Sequence, residues 1–162
     1  MNIRSTETDS PFANRIRLRS CGVIVQDSSI LLTKINAPTR PHPIWMPPGG
    51  AVQQGEPLKD ALIREMKEET QLDVLPGQLL WLHEFIEDPF HAVEFYFRCS
   101  VSGGEARVGT DPELNSDNQI ILDLDFVPLN KIDELHVEPG FIKDFCADGA
   151  NFFDKVRYIS TS

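Results

Sequence analysis

A chain of 162 residues has the length of one domain and enough material for a proper core. Its 41% hydrophobic and 25% charged residues are ordinary for a soluble protein, and no stretch has signal-peptide character or the length to span a bilayer. The net charge of −10 argues against a nucleic-acid polymer as the main partner, while a small nucleotide remains open because a metal can supply positive charge locally. Three cysteines, Cys21, Cys99 and Cys146, are odd in number and lack ligand spacing, which fits a reduced, cytoplasmic compartment.

Residues 1–12 are polar up to Pro11-Phe12 and read as a flexible tail, leaving 13–162 as one domain. From Arg15 the spacing alternates, with Ile16 and Leu18 set between Arg15, Arg17 and Arg19. CGVIV then runs into the turn-like Asp27-Ser28-Ser29 and ILLTKI, so two strands joined by a short turn are expected. The arginine face is the exposed side of a strand or, at Arg19 and Lys34 near strand ends, a place to receive phosphates. Residues 36–43, NAPTRPHP, form a proline-rich loop; His42 has no His or Cys neighbour to make it a metal ligand.

From Pro57 the spacing becomes helical, and proline suits a first helical turn, where its missing N–H costs nothing. Leu58, Ala61 and Leu62 share one face, with Lys59, Asp60, Arg64 and Lys67 opposite. Continuing the apolar stripe leads to Glu65 and Glu69, with Glu68 beside them, so the inward face turns acidic within one turn. Like charges at these spacings cost about 0.2–0.5 kcal/mol per pair, and acids near a helix C-terminus about 0.3–1 kcal/mol each. Arg64 offsets part of this by reaching Asp60 or Glu68, and a bound cation would offset far more. A solvated acidic helix end is the plain alternative, though such a cluster should avoid the apolar side.

The stretch Gly50 to Leu72 resembles the Nudix box, Gly-x5-Glu-x7-Arg-Glu-U-x-Glu-Glu-x-Gly-U with U aliphatic. Gly50, Glu56, Arg64, Glu65, Met66, Glu68, Glu69 and Leu72 fall on it in register, and Gln71 stands where the family has glycine. That departure touches the helix exit rather than the carboxylates: a glycine there permits a left-handed C′ residue, and glutamine either adopts it at about 1–2 kcal/mol or carries the helix further. Trp45 and the Pro-Gly-Gly of Pro48 to Gly50 resemble the family's lead-in.

Beyond the helix, Leu72 to Leu75 reads as a brief strand and Pro76-Gly77 as a turn. Longer strand-like runs follow at 79–87 and 92–101. Trp81, Phe85, Phe95 and Phe97 are core by type, with Phe85, Phe90 and Tyr96 also candidates to stack on a base. His83 reads as an interior histidine, and Glu84, Glu87 and Glu94 are candidates to face a cleft. Residues 103–119 are too polar and glycine-rich to pack and form a long loop with Glu113. The strand 120–129 puts Leu122, Leu124 and Phe126 on one face and Asp123 and Asp125 on the other. A short turn-helix over 128–135, a helix from about Glu138 to Cys146 and a terminal strand near 156–159 complete the chain.

Carboxylates without His or Cys neighbours select hard, oxygen-bound cations, so Mg²⁺ or Mn²⁺ is expected. The resemblance implies an α/β/α sandwich with a mixed sheet and the hydrolysis of a nucleoside diphosphate linked to a second group. It also implies site roles: Glu65, Glu68 and Glu69 with the Gly50 carbonyl on the metal, Arg64 orienting the glutamates, and Glu56 holding the loop or a coordinated water. The general base is Glu68 within the box or Asp123, Asp125 or Glu113 outside it. No membrane contact is expected, and dimers are frequent in the family, so a homodimer stays open. The runner-up is a nucleotide sensor of the same fold that no longer hydrolyses; its usual sign is loss of box glutamates, and none is lost.

Overall fold

In the computed structural model, which describes residues 10–110, 120–152 and 155–162, the alternating run beyond Arg15 forms β1 (Ile16–Val23). At Ile24 the chain passes into β2 (Val25–Gln26), then turns through Asp27 and Ser28, with φ of 47° and 57°, into β3 (Ser29–Ile35). Two successive left-handed residues match the right-handed twist of a two-residue hairpin, and aspartate tolerates that region better than most residues. After the proline-rich loop come β4 (Ile44–Met46), β5 (Gly49–Ala51) and α1 (Leu58–Thr70). Strands β6 (Leu72–Glu87), β7 (Phe90–Gly104) and β8 (Ile121–Pro128) follow. A short 3₁₀ helix (Leu129–Glu134), α2 (Phe141–Ala147) and β9 (Arg157–Thr161) close the fold.

The expected mixed sheet is five-stranded, in the order β5-β1-β7-β6-β9, with β1–β7 and β6–β9 parallel and the other pairs antiparallel. A second, antiparallel sheet is centred on β3, which pairs with β2 and β4 and with β8. Successive side chains on a strand point to opposite faces, and here they feed two separate cores. Leu31 and Phe97 join Leu62 and Met66 under α1, whereas Ile30, Leu32 and Tyr96 join Trp81, Ile142 and Phe145 under α2. The layers are thus helix, sheet, helix. Cys21, Cys99 and Cys146 are buried free thiols.

One expectation is corrected. Pro76-Gly77 does not end a strand: β6 is continuous from Leu72 to Glu87, with register shifts against β7 at Asp73/Val74, Pro76/Leu79 and Leu79/Trp81. A bulge absorbs the N–H that proline lacks, so the strand bends instead of stopping. The expected tail is described only from Ser10 onward.

Candidate active site

Helix α1 has no side-chain cap at Pro57, and its buried side is Ala61, Leu62, Glu65, Met66 and Thr70. The apolar stripe therefore runs on through Met66 to Thr70, and Glu65 is buried beside it rather than replacing it. Arg64 makes that burial tolerable. Its Nε and Nη2 donate to the two oxygens of Glu56 at 2.8 and 2.9 Å, and its Nη1 donates to Glu65 at 2.7 Å and Glu68 at 3.2 Å. Nη2 also reaches the Ala51 carbonyl at 3.0 Å. The Glu56 carboxyl is held below its usual range by those Arg64 bonds, against the opposing effect of partial burial. The fork of a guanidinium suits this work, since it presents several donors in one plane. Glu69 turns elsewhere: its Oε2 accepts the Gly49 N–H at 3.0 Å.

At Gly50 a Cβ would meet the carboxylate of Glu65, so a side chain there would push that carboxylate off its Arg64 bond. Backbone and carboxylate thus lie close together, and the acceptors gathered here are oxygens, the set that hard cations select. Among the described residues no three acids are placed to hold one cation: Arg64 draws Glu56, Glu65 and Glu68, and Gly49 draws Glu69. Glu56, Glu65, Glu68 and Glu69 stand against the guanidinium of Arg64 and that of Arg19, which is itself paired with Glu94, so excess negative charge remains that a divalent cation fits.

The end of α1 is finished by a distant segment. The amides of Arg107, Gly109 and Thr110 donate to the carbonyls of Thr70, Glu69 and Glu68 at 3.0, 2.7 and 3.2 Å. These are carbonyls that a helix leaves without partners. Gln71 itself has φ 63° and ψ 10°, and its N–H donates to Lys67 at 3.1 Å. Glutamine thus adopts the left-handed cap that the family pattern gives to glycine.

A cavity of about 600 Å³ opens between the two sheets. Ile35, Ile44 and Met46 line one wall, and Phe85, Phe90 and Ala92 the other. At its floor Arg19 pairs with Glu94, whose Oε2 accepts the Tyr96 hydroxyl at 3.0 Å and contacts His83 Nδ1 at 2.8 Å. Burial alone would raise the pKa of Glu94, but the Arg19 charge and the His83 and Tyr96 contacts outweigh it and hold it at about 2. At the rim Arg40 donates to Glu138 at 2.7 and 2.9 Å and to Glu87 at 2.9 and 3.1 Å, and stands 5.8 Å over the Phe85 ring.

Of the candidates read from the sequence, the structure brings Gly50, Glu56, Arg64, Glu65 and Glu68 together, and places Glu69 against Gly49. Arg19, Phe85 and Phe90 line the cavity, as do Glu87 and Glu94, whereas Glu84 bonds to His91 and Tyr158. Lys34 stacks on Trp45 at 5.9 Å and does not line the cavity. Asp123 and Asp125 lie exposed on β8 opposite Lys34 and Leu32, also away from it. Glu113 falls outside the described residues. Sequence reasoning missed Arg40 and the capping role of 107–110. A lone arginine among prolines was the signal for the first; the second had none.

The NUDIX domain family matches residues 16–145. The chain is 33% identical over 128 residues to the ADP-ribose pyrophosphatase of Methanocaldococcus jannaschii, covering 76% of this chain and 69% of that protein. In fold it is similar to an ADP-ribose pyrophosphatase from Streptococcus suis (TM-score 0.63, 20% identity, 88% of this chain and 98% of that one). It is equally similar to a MutT NUDIX hydrolase from Burkholderia pseudomallei (TM-score 0.64, 24% identity, 85% and 99%). With the family pattern running from β1 through β8 and into α2 as far as Phe145, the chain belongs to the NUDIX family.

Proposed function

We propose that this protein is a divalent-metal-dependent hydrolase that cleaves the pyrophosphate bond of a nucleoside diphosphate linked to a second group. ADP-ribose is the first compound to test, given the names of its relatives. The observation that carries the reading is the buried Glu65 set against Gly50, with Glu68 and Glu69 on the same turn of α1. Glu65, Glu68 and Glu69 with the Gly50 carbonyl would hold Mg²⁺ or Mn²⁺. Such a cation neutralises pyrophosphate oxygens and makes a water easier to deprotonate. Arg64 keeps Glu65 and Glu68 aimed while they are unloaded, and Glu56 braces Arg64. To Glu68, half-buried and held to Arg64 by that residue's longest bond, we assign the proton of the attacking water. The nucleoside enters the cavity, where Phe85 and Phe90 offer ring faces, and Arg19 has donors beyond the two it uses.

Two measurements test this. Incubation with ADP-ribose, nucleotide sugars, dinucleoside polyphosphates and oxidised nucleoside triphosphates, with Mg²⁺ or Mn²⁺, should yield metal-dependent hydrolysis of at least one. Binding without turnover across that set would instead make the chain a sensor. In the second, Glu69→Gln melts at least as high as the parent in EDTA, gaining about 0.5–1.5 kcal/mol from relieved repulsion. In saturating Mg²⁺ the order reverses, because ligand stabilisation grows as RT ln(1 + [L]/Kd), and turnover falls by orders of magnitude. Parallel melts with unchanged turnover reject the metal site.

A further inference from the structure

Strand β5 is the edge of the mixed sheet, and its ladder to β1 alternates. Gly22 donates to Pro48 at 2.8 Å and Val52 to Leu18 at 2.9 Å, so Gly49, opposite Cys21, sits at a position where the ladder makes no bonds. Its N–H and C=O would be orphans at a sheet edge. Both are taken by side chains: Glu69 accepts from the N–H at 3.0 Å, and Arg19 Nη2 donates to the C=O at 3.2 Å. The other Arg19 terminal nitrogen, Nη1, is held by Glu94, and Glu94 by His83 and Tyr96.

We infer that Arg19 and Glu94 are positioning residues that fix the backbone at Gly49, whose carbonyl bonds Arg19 and whose N–H bonds Glu69, so that the cavity floor and the cation-facing carboxylates move as one hydrogen-bonded unit. This rests on the metal reading above. The Gly49 carbonyl belongs to the peptide that leads directly into Gly50, whose own carbonyl is a proposed ligand, so a rotation at Gly49 would displace that ligand and Glu69 together. A cavity occupant that contacts Arg19 would therefore be felt at α1 without touching a glutamate.

The test is Mn²⁺ binding without substrate, followed by the loss of the free-ion EPR signal, which keeps any contact of Arg19 with substrate out of the result. Arg19→Lys keeps the charge beside Glu94 but has no second arm for the Gly49 carbonyl. It should bind Mn²⁺ about tenfold more weakly, and the Gly49 amide should exchange with solvent at least tenfold faster in the metal-free protein. Glu94→Gln keeps the shape but sets an amide N–H against Arg19 or against the Tyr96 and His83 side, and should shift both readouts the same way. Tyr158→Phe removes the hydroxyl bond to Glu84, outside the cavity and this network, and should leave Mn²⁺ affinity within twofold. A parent that binds Mn²⁺, with Glu69→Gln weakened but folded Arg19→Lys and Glu94→Gln both unchanged, overturns the inference alone. Equal weakening in Tyr158→Phe also overturns it, since that marks general loosening. A parent that binds no Mn²⁺ overturns the metal reading and this inference with it.

Discussion

Gln71 holds a conformation that L-residues with a Cβ reach at a cost of about 1–2 kcal/mol, and its φ of 63° shows that it does so without extending the helix. Gln71→Gly should therefore be neutral or stabilising, by up to about 1 kcal/mol, in thermal melts; a clear loss of stability would reject the strain. Its Nε2 bond to the Glu68 carbonyl at 3.3 Å offsets little, being long and exposed. Glu94 makes a second prediction at this scale. Its folded pKa, about 2, lies below the ordinary 4.5, so it contributes stability in full above about pH 4.5. That contribution is lost as the pH falls from 4.5 toward 2. Acid titration of the melting temperature should be steeper in the parent than in Glu94→Gln across that window, and identical slopes would count against a depressed pKa.

At the scale of elements, α1 is finished at its two ends by different means. It starts at Leu58 behind Pro57, an extended N-cap residue that offers the first turn no side-chain bond, while its last carbonyls depend on backbone amides from residues 107–110. Gly109 permits this contact, since a Cβ there would run into the Glu68 carbonyl. Gly109→Ala should cost about 1–3 kcal/mol by overpacking and should disturb Glu68 and Glu69. Melting temperature and Mn²⁺ affinity should therefore both fall. An alanine variant with parental melting and binding would show that the segment only rests near the helix.

For the whole molecule, the cavity opens where residues of both sheets come together, and Arg40 ties the β3–β4 loop to Glu87 of β6 and to Glu138 across its rim. Phe85 comes from β6 of the mixed sheet, and Arg40 from the loop between β3 and β4 of the other. Stacking of a base on an aromatic ring is worth about 1–3 kcal/mol. Phe85→Ala should then raise KM for the best substrate by about 5- to 150-fold and leave kcat within a few-fold. An unchanged KM would place the base elsewhere.

The sequence by itself determined the motif, the helix that carries it, and the turn at Asp27-Ser28. Each rests on rules that act over a few residues: the helical period, the chemistry of turns, and the match of glycine and glutamate spacing to one known pattern. It also pointed to Gln71 as the odd position, although whether glutamine would adopt the left-handed cap or prolong the helix took the tertiary structure to decide. The same holds for Glu65, since a wheel sets it near the apolar stripe but cannot show Met66 and Thr70 continuing that stripe around it. Glu94 read as one of three strand acids; only the pairing of β1 with β7 sets it beside Arg19, 75 residues away in the chain. Pro76 read as a stop because a bulge that tolerates proline depends on the partner strand. Local rules choose elements and motifs, but which side chains share a cavity is settled by contacts between residues far apart in sequence, and those leave no periodic trace in either one.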